Sequence, residues 1–260
     1  MNIKERAIYL LITFLISFLS IRNGLTKETA PSPVPAKKSW HLSLGYGIAI
    51  KNNLRKDNEF SNSAADILLK HIPLAQVGWG PLSVGAQGFT ANLIGNREVG
   101  GFLNINRLGD RYYSQGMENR KDSWFFGAGL KYNKFLFMFA RDIDGRSHGL
   151  RFSANYNALY PIGEKIFTRS SVGLECFSKS YSEYYYGVRS NEATLNRLEY
   201  HPKAYCAPGA SFFPGYKMSD KLSLLVGLSL KLVPATVRLS PTTNGDWLEA
   251  ALISGVTWKF

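Results

Sequence analysis

The residue types that most often carry catalysis or bind metal ions are few in this sequence and far apart. Its four histidines, His41, His71, His148 and His201, each fall in a different part of the 260-residue chain. No H-E-x-x-H, G-x-S-x-G, P-loop or G-x-G-x-x-G motif is present, so no local spacing brings a nucleophile, a base or a set of metal ligands together. The sequence therefore predicts no catalytic site, no metal site and no bound cofactor. A lone serine and histidine brought together by the fold is the enzymatic alternative that it leaves open.

Two cysteines, Cys176 and Cys206, are the second feature with chemical meaning. They fall late in one predicted strand and early in a following one. Export from the cytoplasm, for which there is a signal at the N-terminus, would bring them into a compartment where disulfides form. A disulfide would tie down the tyrosine-rich stretch between them. The alternative is two isolated small apolar residues on the walls of the fold.

Strands are the elements that must position these residues, because helical periodicity is almost absent after residue 39. Between residues 40 and 50, every second residue is apolar and its neighbours are mostly small or polar, which is the period of a strand with one apolar face. Similar alternation predicts eleven strands, near residues 40–50, 66–77, 82–93, 98–107, 123–132, 135–142, 148–160, 165–178, 200–213, 221–238 and 247–260. Single-chain bacterial barrels have an even number of strands. We therefore expect about twelve, with the missing strand near residues 181–189, and ten as the alternative.

The length and polarity of these strands indicate a membrane barrel and not a soluble sheet. They are longer than the five or six residues usual in soluble proteins and match the roughly 9 to 11 residues that cross a bilayer at a tilt. An open sheet would leave edge amides unpaired in lipid, so the sheet must close. We predict an all-β fold, a closed antiparallel transmembrane β-barrel with apolar residues facing lipid and polar residues facing the lumen.

Charged residues inside the predicted strands fall on the polar face and are predicted to line the lumen. They are Lys131, Arg151, Arg169, Glu175 and Lys231. Facing lipid at mid-depth, each charge would cost roughly 2 to 4 kcal/mol. Two interpretations stay open. One is a cationic constriction that passes or binds anions; the other is a salt-bridged plug, which a barrel of ten to twelve strands favours.

The N-terminal segment has the layout of an export signal. Lys4 and Arg6 precede 15 uncharged, mostly apolar residues, 7–21. This stretch fits the core of a signal peptide better than a membrane-spanning helix of about 20 residues. We expect a signal peptide over residues 1–26, a proline-rich linker over 27–38 and the barrel over 39–260. An uncleaved N-terminal anchor is the alternative.

The net charge of +12 does not indicate nucleic-acid binding, because lysine and arginine are scattered among strands and turns and not gathered on one face. For an exported protein, the expected partners are outer-membrane lipid and an anionic envelope surface such as lipopolysaccharide. A solvated surface without a specific partner is the plainer interpretation.

A short motif in the final third of the chain is similar to the most diagnostic part of a known family. An aromatic pair is followed by Gly-Val and, four residues later, by a glutamate and a small residue. These residues are Tyr185, Tyr186, Gly187, Val188, Glu192 and Ala193. The stretch Val237–Pro241 and the terminal Trp-x-Phe also fit, although Arg189 stands where a serine or threonine is common. In these residues the chain resembles the MltA-interacting protein (MipA/OmpV) family.

The resemblance implies a barrel in the bacterial outer membrane without enzymatic activity. It further implies a scaffold or envelope-interaction protein that links a lytic transglycosylase and a penicillin-binding protein during peptidoglycan synthesis. Some members of the family are similar to porins or adhesins. The alternatives are therefore a small porin or solute-binding barrel with a basic lumen, and a surface adhesin.

The last residues are predicted to form both the final strand and a signal for barrel-insertion machinery. Val256, Trp258 and Phe260 lie on one face, and pairing with the first strand would hold a terminus that would otherwise fray. Deleting Phe260 should impair assembly more than any single loop change, measured as loss of heat-modifiable gel migration in the outer-membrane fraction. Normal insertion of the truncated chain would contradict the barrel prediction.

Overall fold

A computed structural model describes residues 40–59, 67–85, 88–95 and 98–260 of the chain. The predicted signal peptide and linker lie outside the described residues. Twelve strands provide most of the regular structure that is described. They are β1 (Trp40–Asn52), β2 (Ile67–Trp79), β3 (Leu82–Gly85), β4 (Gly88–Gly95), β5 (Val99–Leu108), β6 (Ser123–Tyr132), β7 (Phe135–Asp142), β8 (Leu150–Ile162), β9 (Ile166–Phe177), β10 (Tyr205–Lys217), β11 (Leu222–Leu232) and β12 (Leu248–Lys259).

The sheet is a closed barrel. Each strand pairs antiparallel with its neighbours in the chain, and β1 pairs with β12 to complete the ring. This closing seam runs from Ser43 opposite Lys259 to Lys51 opposite Ala251. The amide of Phe260 extends it by donating to the carbonyl oxygen of Leu42 at 3.0 Å. The prediction of a closed antiparallel barrel of about twelve strands is confirmed, and the alternative of ten strands is wrong.

The predicted position of the twelfth strand is also wrong. The stretch 82–93 contains two strands, β3 and β4, whereas Lys179–Tyr186 forms a helix, α1. The helix follows its cap residue Ser178, whose hydroxyl oxygen accepts from the amide of Tyr181 at 3.4 Å. Tyrosine favours strands, but a spacing of four residues places Tyr181 and Tyr185 on one face of a helix. Both are buried there, and this tertiary burial outweighs the intrinsic preference.

Side chains of the strands alternate between a lipid-facing surface and the lumen. In β1, Tyr46, Ile48 and Ile50 are exposed on the outside, whereas Gly47 and Ala49 between them are buried. The same inversion occurs in β11 and β12, where the exposed apolar residues include Val226, Leu228, Leu252, Val256 and Trp258. Large apolar side chains that face outward are expected where the surroundings are lipid. Within the described part of the chain, no helix is both long and apolar enough to cross a membrane.

The two ends of the barrel differ. At one end, the loop end, long connections cover residues 53–66, 109–122, 178–204 and 233–247. At the other end, the turn end, two to four residues join successive strands. Trp40 and Lys259, the outermost residues of the closing strands, also lie at the turn end. Outer-membrane barrels place short turns in the periplasm and long loops outside the cell, so we assign the turn end to the periplasm.

Glycines in the lumen wall make room for aromatic rings of the neighbouring strand. A Cβ atom on Gly129 would lie 2.2 Å from the ring of Phe102, and one on Gly227 would lie 2.3 Å from the ring of Phe213. Each ring therefore lies against the backbone of the next strand, where a larger residue would block it. This packing thickens the wall and leaves space in the lumen.

Because the hairpin β3–β4 is short, the loop-end part of β2 has a described neighbouring strand on one side only. Strand β2 pairs with β1 over its whole length, but with β3 only from Gln76 to Trp79. No described residue pairs with the second edge of the loop-end segment 67–75. Pro73 lies in this segment, and because proline has no N–H to donate, it is tolerated in a strand at an edge of this kind.

Replacing Gly227 with alanine is expected to strain the wall. The new Cβ would meet the backbone oxygen of Phe212 at 2.4 Å and the ring of Phe213 at 2.3 Å, so the strands must shift at a cost of about 1 to 3 kcal/mol. The free energy of unfolding in urea, measured in lipid vesicles, should fall by that amount. Gly209→Ala is the matched control, because its nearest contact is the backbone oxygen of Leu230 at 3.1 Å. An equal loss in both variants would contradict the packing described above.

Candidate functional site: the cap and the barrel interior

The loop end carries a cap formed by residues 53–58, 109–122, 178–204 and 233–247. A short antiparallel bridge between Arg55 and Thr243 connects two of its loops, and another between Val188 and Tyr200 lies within the loop 178–204. Two clusters of buried apolar residues lie beneath and within it. The first is Phe125, Ala140, Phe177, Tyr181 and Tyr185, and the second is Tyr112, Met117 and Val188. The buried apolar clusters of the described residues are thus found at the cap and not around the lumen.

A buried ion pair joins two loops of the cap. The Nη2 atom of Arg120, a residue that is 1 % exposed, lies 2.8 and 2.7 Å from the two carboxylate oxygens of Glu192. The same carboxylate accepts from the amides of Glu118 at 2.9 Å and Arg189 at 3.1 Å. Burial by itself would raise the pKa of Glu192, but the two amides and the guanidinium outweigh it and hold the pKa below its ordinary value. The glutamate therefore stays ionised at neutral pH, with protein donors on both of its oxygens.

Arg55 joins the first loop to helix α1. Its Nη1 atom donates to the carbonyl oxygen of Tyr185 at 2.8 Å. Its guanidinium carbon lies 4.3 Å from the ring centre of Tyr186 and 5.1 Å from that of Tyr112, within the range of cation–π attraction. Burial by itself would raise the pKa of nearby Asp110. The positive charges of Arg55, Lys51, Lys70 and Lys231 outweigh burial and lower this pKa below its ordinary value. The cap thus contains a second charged centre.

The aromatic pair and the Gly-Val of the family motif lie in the cap. Tyr185 is 1 % exposed, and its hydroxyl lies 3.2 Å from the carbonyl oxygen of Leu108 and 3.1 Å from that of Lys121. Burial raises the pKa of Tyr185, so the phenol remains a neutral donor. The amide of Val188 donates to the carbonyl oxygen of Tyr200 at 3.0 Å. These residues hold α1 against the barrel rim and are not free to contact a partner.

The remaining motif residues shape the turn around Glu192. A Cβ atom on Gly187 would lie 2.4 Å from the carbonyl oxygen of Glu183, so the end of α1 requires a glycine. The amide of Ala193 donates to the carbonyl oxygen of Ser190 at 3.4 Å and closes the 3₁₀ turn Ser190–Glu192. The motif as a whole thus specifies how the cap folds.

A disulfide joins Cys176 and Cys206. The two residues lie directly opposite each other in β9 and β10, in agreement with the first of the two interpretations of the cysteines. The bond spans a sequence separation of 30 residues that includes α1 and the Glu192 turn. It therefore limits how far this part of the cap can move from the rim.

The strand registers place all five predicted lumen charges on the inner face. Three of them meet near the loop end, where Glu175 forms ion pairs with Arg151 and with Lys231, the latter at 2.8 Å. A further pair, Lys51 and Glu249, lies at 2.8 Å across the closing seam. These loop-end charges are thus paired with one another, and the salt-bridged plug stays a prediction.

Lys131 and Arg169 are separate from that network. They lie near the turn end, and none of the ion pairs formed among the described residues includes either of them. They line an open cavity of about 570 Å³ together with Asn157, Leu159 and Phe213. The predicted lumen charges therefore divide into a paired cluster under the cap and two unpaired cations nearer the periplasm.

Sequence reasoning missed Arg55, Asp110 and Arg120, which are central to the cap. All three lie in polar loop sequence without periodicity, and Arg120 is 72 residues from Glu192. Neither spacing nor composition indicates that a loop arginine is buried. Glu192 was the signal that pointed to this region, through its place in the family motif.

The histidines form no cluster in the described structure. His201 lies on the exposed surface, with Nε2 2.8 Å from a carboxylate oxygen of Glu199, and His71 contacts Tyr46. Within the described ranges, no group of three or more His, Cys, Asp or Glu residues is arranged to hold a metal ion.

Comparison with known proteins gives one family match. The family described as "MltA-interacting protein MipA" matches residues 24–260, and no curated protein matches the sequence. The chain is similar at low identity to Neisserial surface protein A, with 10% identity over 85% of this chain and 97% of that chain and a TM-score of 0.28. It is also similar to a loop L8 deletion mutant of OmpT from Vibrio cholerae, with 6% identity over 85% of this chain and 99% of that chain and a TM-score of 0.38. For a FadL homologue from Pseudomonas aeruginosa, the identity is 8% over 85% of this chain and 89% of that chain, and the TM-score is 0.35. Similarity at this level carries no information about function.

Glu192→Gln is expected to loosen the cap, because Arg120 would lose its buried counter-charge and keep only half-exposed Glu118, at 3.2 Å. Removing one partner of a buried ion pair costs about 3 to 5 kcal/mol, and the pair with Glu118 lowers that cost. Amide hydrogen exchange at Val188 and Tyr200, which bond to each other, should report the loss. Glu199→Gln is the control, because that carboxylate is exposed and pairs with exposed His201. Equal protection in the two variants would show that the buried pair does not hold the cap.

The same variants test a dependence on pH. Because the pKa of Glu192 is lower in the folded protein than its ordinary 4.5, its stabilisation is complete above that value and is lost as the pH falls through the folded pKa. Protection of the Val188 and Tyr200 amides in the wild-type protein should therefore decrease as the pH falls from 4.5 through the folded pKa. The Glu192→Gln variant should lack the part of this decrease that comes from Glu192. Asp110 titrates in the same direction and remains in both proteins, so the difference between them isolates Glu192.

Proposed function

The chain belongs to the MltA-interacting protein family and is an outer-membrane β-barrel, and from these two facts we propose that it is a non-catalytic scaffold. Its partner in this role is a periplasmic lytic transglycosylase of the MltA type, as the family description suggests. A penicillin-binding protein that synthesises peptidoglycan is the second partner. The scaffold holds these enzymes at the inner surface of the outer membrane.

The closed loop end is the observation that carries the proposal. Arg120 and Glu192 tie two loops together, and Arg55 ties a third to α1. The Cys176–Cys206 disulfide holds the largest of these loops at the rim. Described residues of four loops thus contact one another across the loop end, which favours a binding role over conduction.

The turn end has the charge and position that a periplasmic docking surface needs. Lys134, Lys165 and Lys221 lie in three of its turns, and exposed Glu98, Glu164 and Asp220 lie in turns of the same end. The rim therefore offers charges of both signs, and the lysines suit acidic groups of a partner. Strand β1 begins at this end, at Trp40. We also propose that a signal peptide over residues 1–26 is cleaved and that residues 27–38 form a proline-rich linker before the barrel.

A small anion-selective porin is the second candidate, and the unpaired cations Lys131 and Arg169 favour it. Conductance across a planar bilayer separates the two functions. The capped barrel should give no discrete current steps at neutral pH, whereas stepwise anion-selective currents from the wild-type protein would favour the porin. A surface adhesin would instead act through the outer face of the cap.

The scaffold proposal predicts direct binding at the turn end. The barrel in lipid nanodiscs should bind the purified transglycosylase domain, measured by biolayer interferometry. Changing Lys134, Lys165 and Lys221 to glutamine together should weaken binding about tenfold, because three exposed charge pairs contribute roughly 0.5 kcal/mol each. The matched control changes Lys56, Lys121 and Lys203 at the loop end, with the same loss of charge.

Two results would contradict this proposal. One is the absence of saturable binding to the wild-type barrel. The other is equal weakening by the two triple variants, which would mean that total charge and not the turn end attracts the partner. Heat-modifiable migration of both variants confirms that each barrel is folded before binding is compared.

A further inference from the structure

Beyond the scaffold role, we propose that the turn-end part of the lumen binds a small organic anion that carries a carboxylate or phosphate group and an apolar portion. The site is the open cavity of about 570 Å³ described above, called the vestibule from here on. Its lining includes Lys131, Arg169, Asn157, Leu159 and Phe213. Sites for small molecules in proteins typically have volumes of roughly 300 to 1,000 Å³, so the vestibule has a suitable size.

Positive charge near the turn end is not balanced by the described strands. The inner-facing cations in the turn-end parts of these strands are Lys131, Arg169, Lys217 and Lys259. The carboxylates of the described strands all lie in the loop-end parts, and they are Asp142, Glu175 and Glu249. Several positive charges close together on a low-dielectric wall attract an anion. The described turns at this end also carry Glu98, Glu164 and Asp220, but none of the described residues that line the vestibule is a carboxylate.

The vestibule adjoins a smaller cavity that lies nearer the loop end. The hydroxyl oxygens of Ser171 and Ser211 are 2.7 Å apart, and both serines line the vestibule and a smaller cavity of about 180 Å³. Glu175 and Lys231, which are paired with each other, line that smaller cavity, and the cap lies beyond it. Because the cap lies at the loop end, we expect a ligand to enter the vestibule from the periplasmic side.

The lining favours an anion with an apolar part over an inorganic ion or a neutral sugar. The guanidinium of Arg169 presents parallel N–H groups that match a carboxylate or a phosphate. Asn157 and Ser211 add neutral hydrogen-bonding groups, whereas Leu159 and Phe213 provide apolar surface. A few polar groups that fix orientation within an apolar surround are typical of small-molecule sites.

Three probes that share a benzene ring test the proposal. Phenyl phosphate, phenylacetate and uncharged benzyl alcohol are titrated into the full barrel in nanodiscs and followed by isothermal calorimetry, with phosphorus NMR for the first. At least one of the anions should bind saturably and more tightly than benzyl alcohol, and the tighter anion identifies the preferred head group. The double variant Lys131→Gln, Arg169→Gln should weaken its binding about tenfold or more, because two charge-assisted contacts are lost.

The control removes the same charge from the turns, as Lys165→Gln with Lys221→Gln, and should change the dissociation constant less than about twofold. The proposal is overturned if neither anion binds saturably, if benzyl alcohol binds as tightly as the anions, or if the control loses as much affinity as the double variant. Heat-modifiable migration verifies the fold of each variant. Because these titrations contain no enzyme, their failure would leave the scaffold proposal untouched.

Discussion

A backbone amide inside a bilayer has no water to bind, and every other feature of this protein follows from that constraint. The sheet has to close, and the pairing of β1 with β12 closes it. Closure reverses the usual arrangement of a folded protein, because lipid takes the large apolar side chains and the interior receives glycine, serine, asparagine and charged residues. Hydrophobic burial cannot hold such an interior together. Ion pairs between strands contribute to its stability instead, as at Glu175 with Arg151 and Lys231.

Apolar burial reappears where the chain leaves the membrane. Tyr181 of α1 stacks on Phe177 of β9 with ring centres 4.3 Å apart, and it meets Phe125 of β6 edge-on at 6.1 Å. One aromatic cluster therefore joins the rim to the helix above it. The Arg120–Glu192 pair then fixes the loops around that cluster, and a buried pair of this kind permits few other arrangements, because any of them would leave a charge unpaired. The cap thus buries its apolar residues inside, as soluble proteins do, whereas the barrel below it exposes its apolar residues to lipid.

The barrel could be predicted from the sequence because lipid and lumen lie on opposite faces of every strand, so the strand period appears in the residues themselves. The same reasoning placed Lys131, Arg151, Arg169, Glu175 and Lys231 on the inner face. The helix α1 could not be predicted in this way. Its tyrosines favour strands, and what makes the helix favourable is their burial against residues that are far away in the sequence.

Other differences between prediction and structure have a similar cause. Strand β3 has four residues, too few to show a period, so β3 and β4 were predicted as one strand. Arg55 and Arg120 lie in loops, where no repeat indicates which side chain is buried. Glu192 was identified because a family motif contains it, but its partner is 72 residues away. Local sequence patterns thus predict the strands of the barrel wall, whereas the fold of the cap depends on contacts between residues far apart in the sequence.

The short hairpin β3–β4 has a consequence for the lipids around the barrel. In its loop-end part, β2 presents an edge to which no described residue bonds, and Pro73 lies within that edge. Acyl chains cannot satisfy the N–H and C=O groups of such an edge, so water or a polypeptide segment, from this chain or another, has to meet them. Whatever meets this edge must therefore be polar along its length, unlike the lipid that surrounds the rest of the wall.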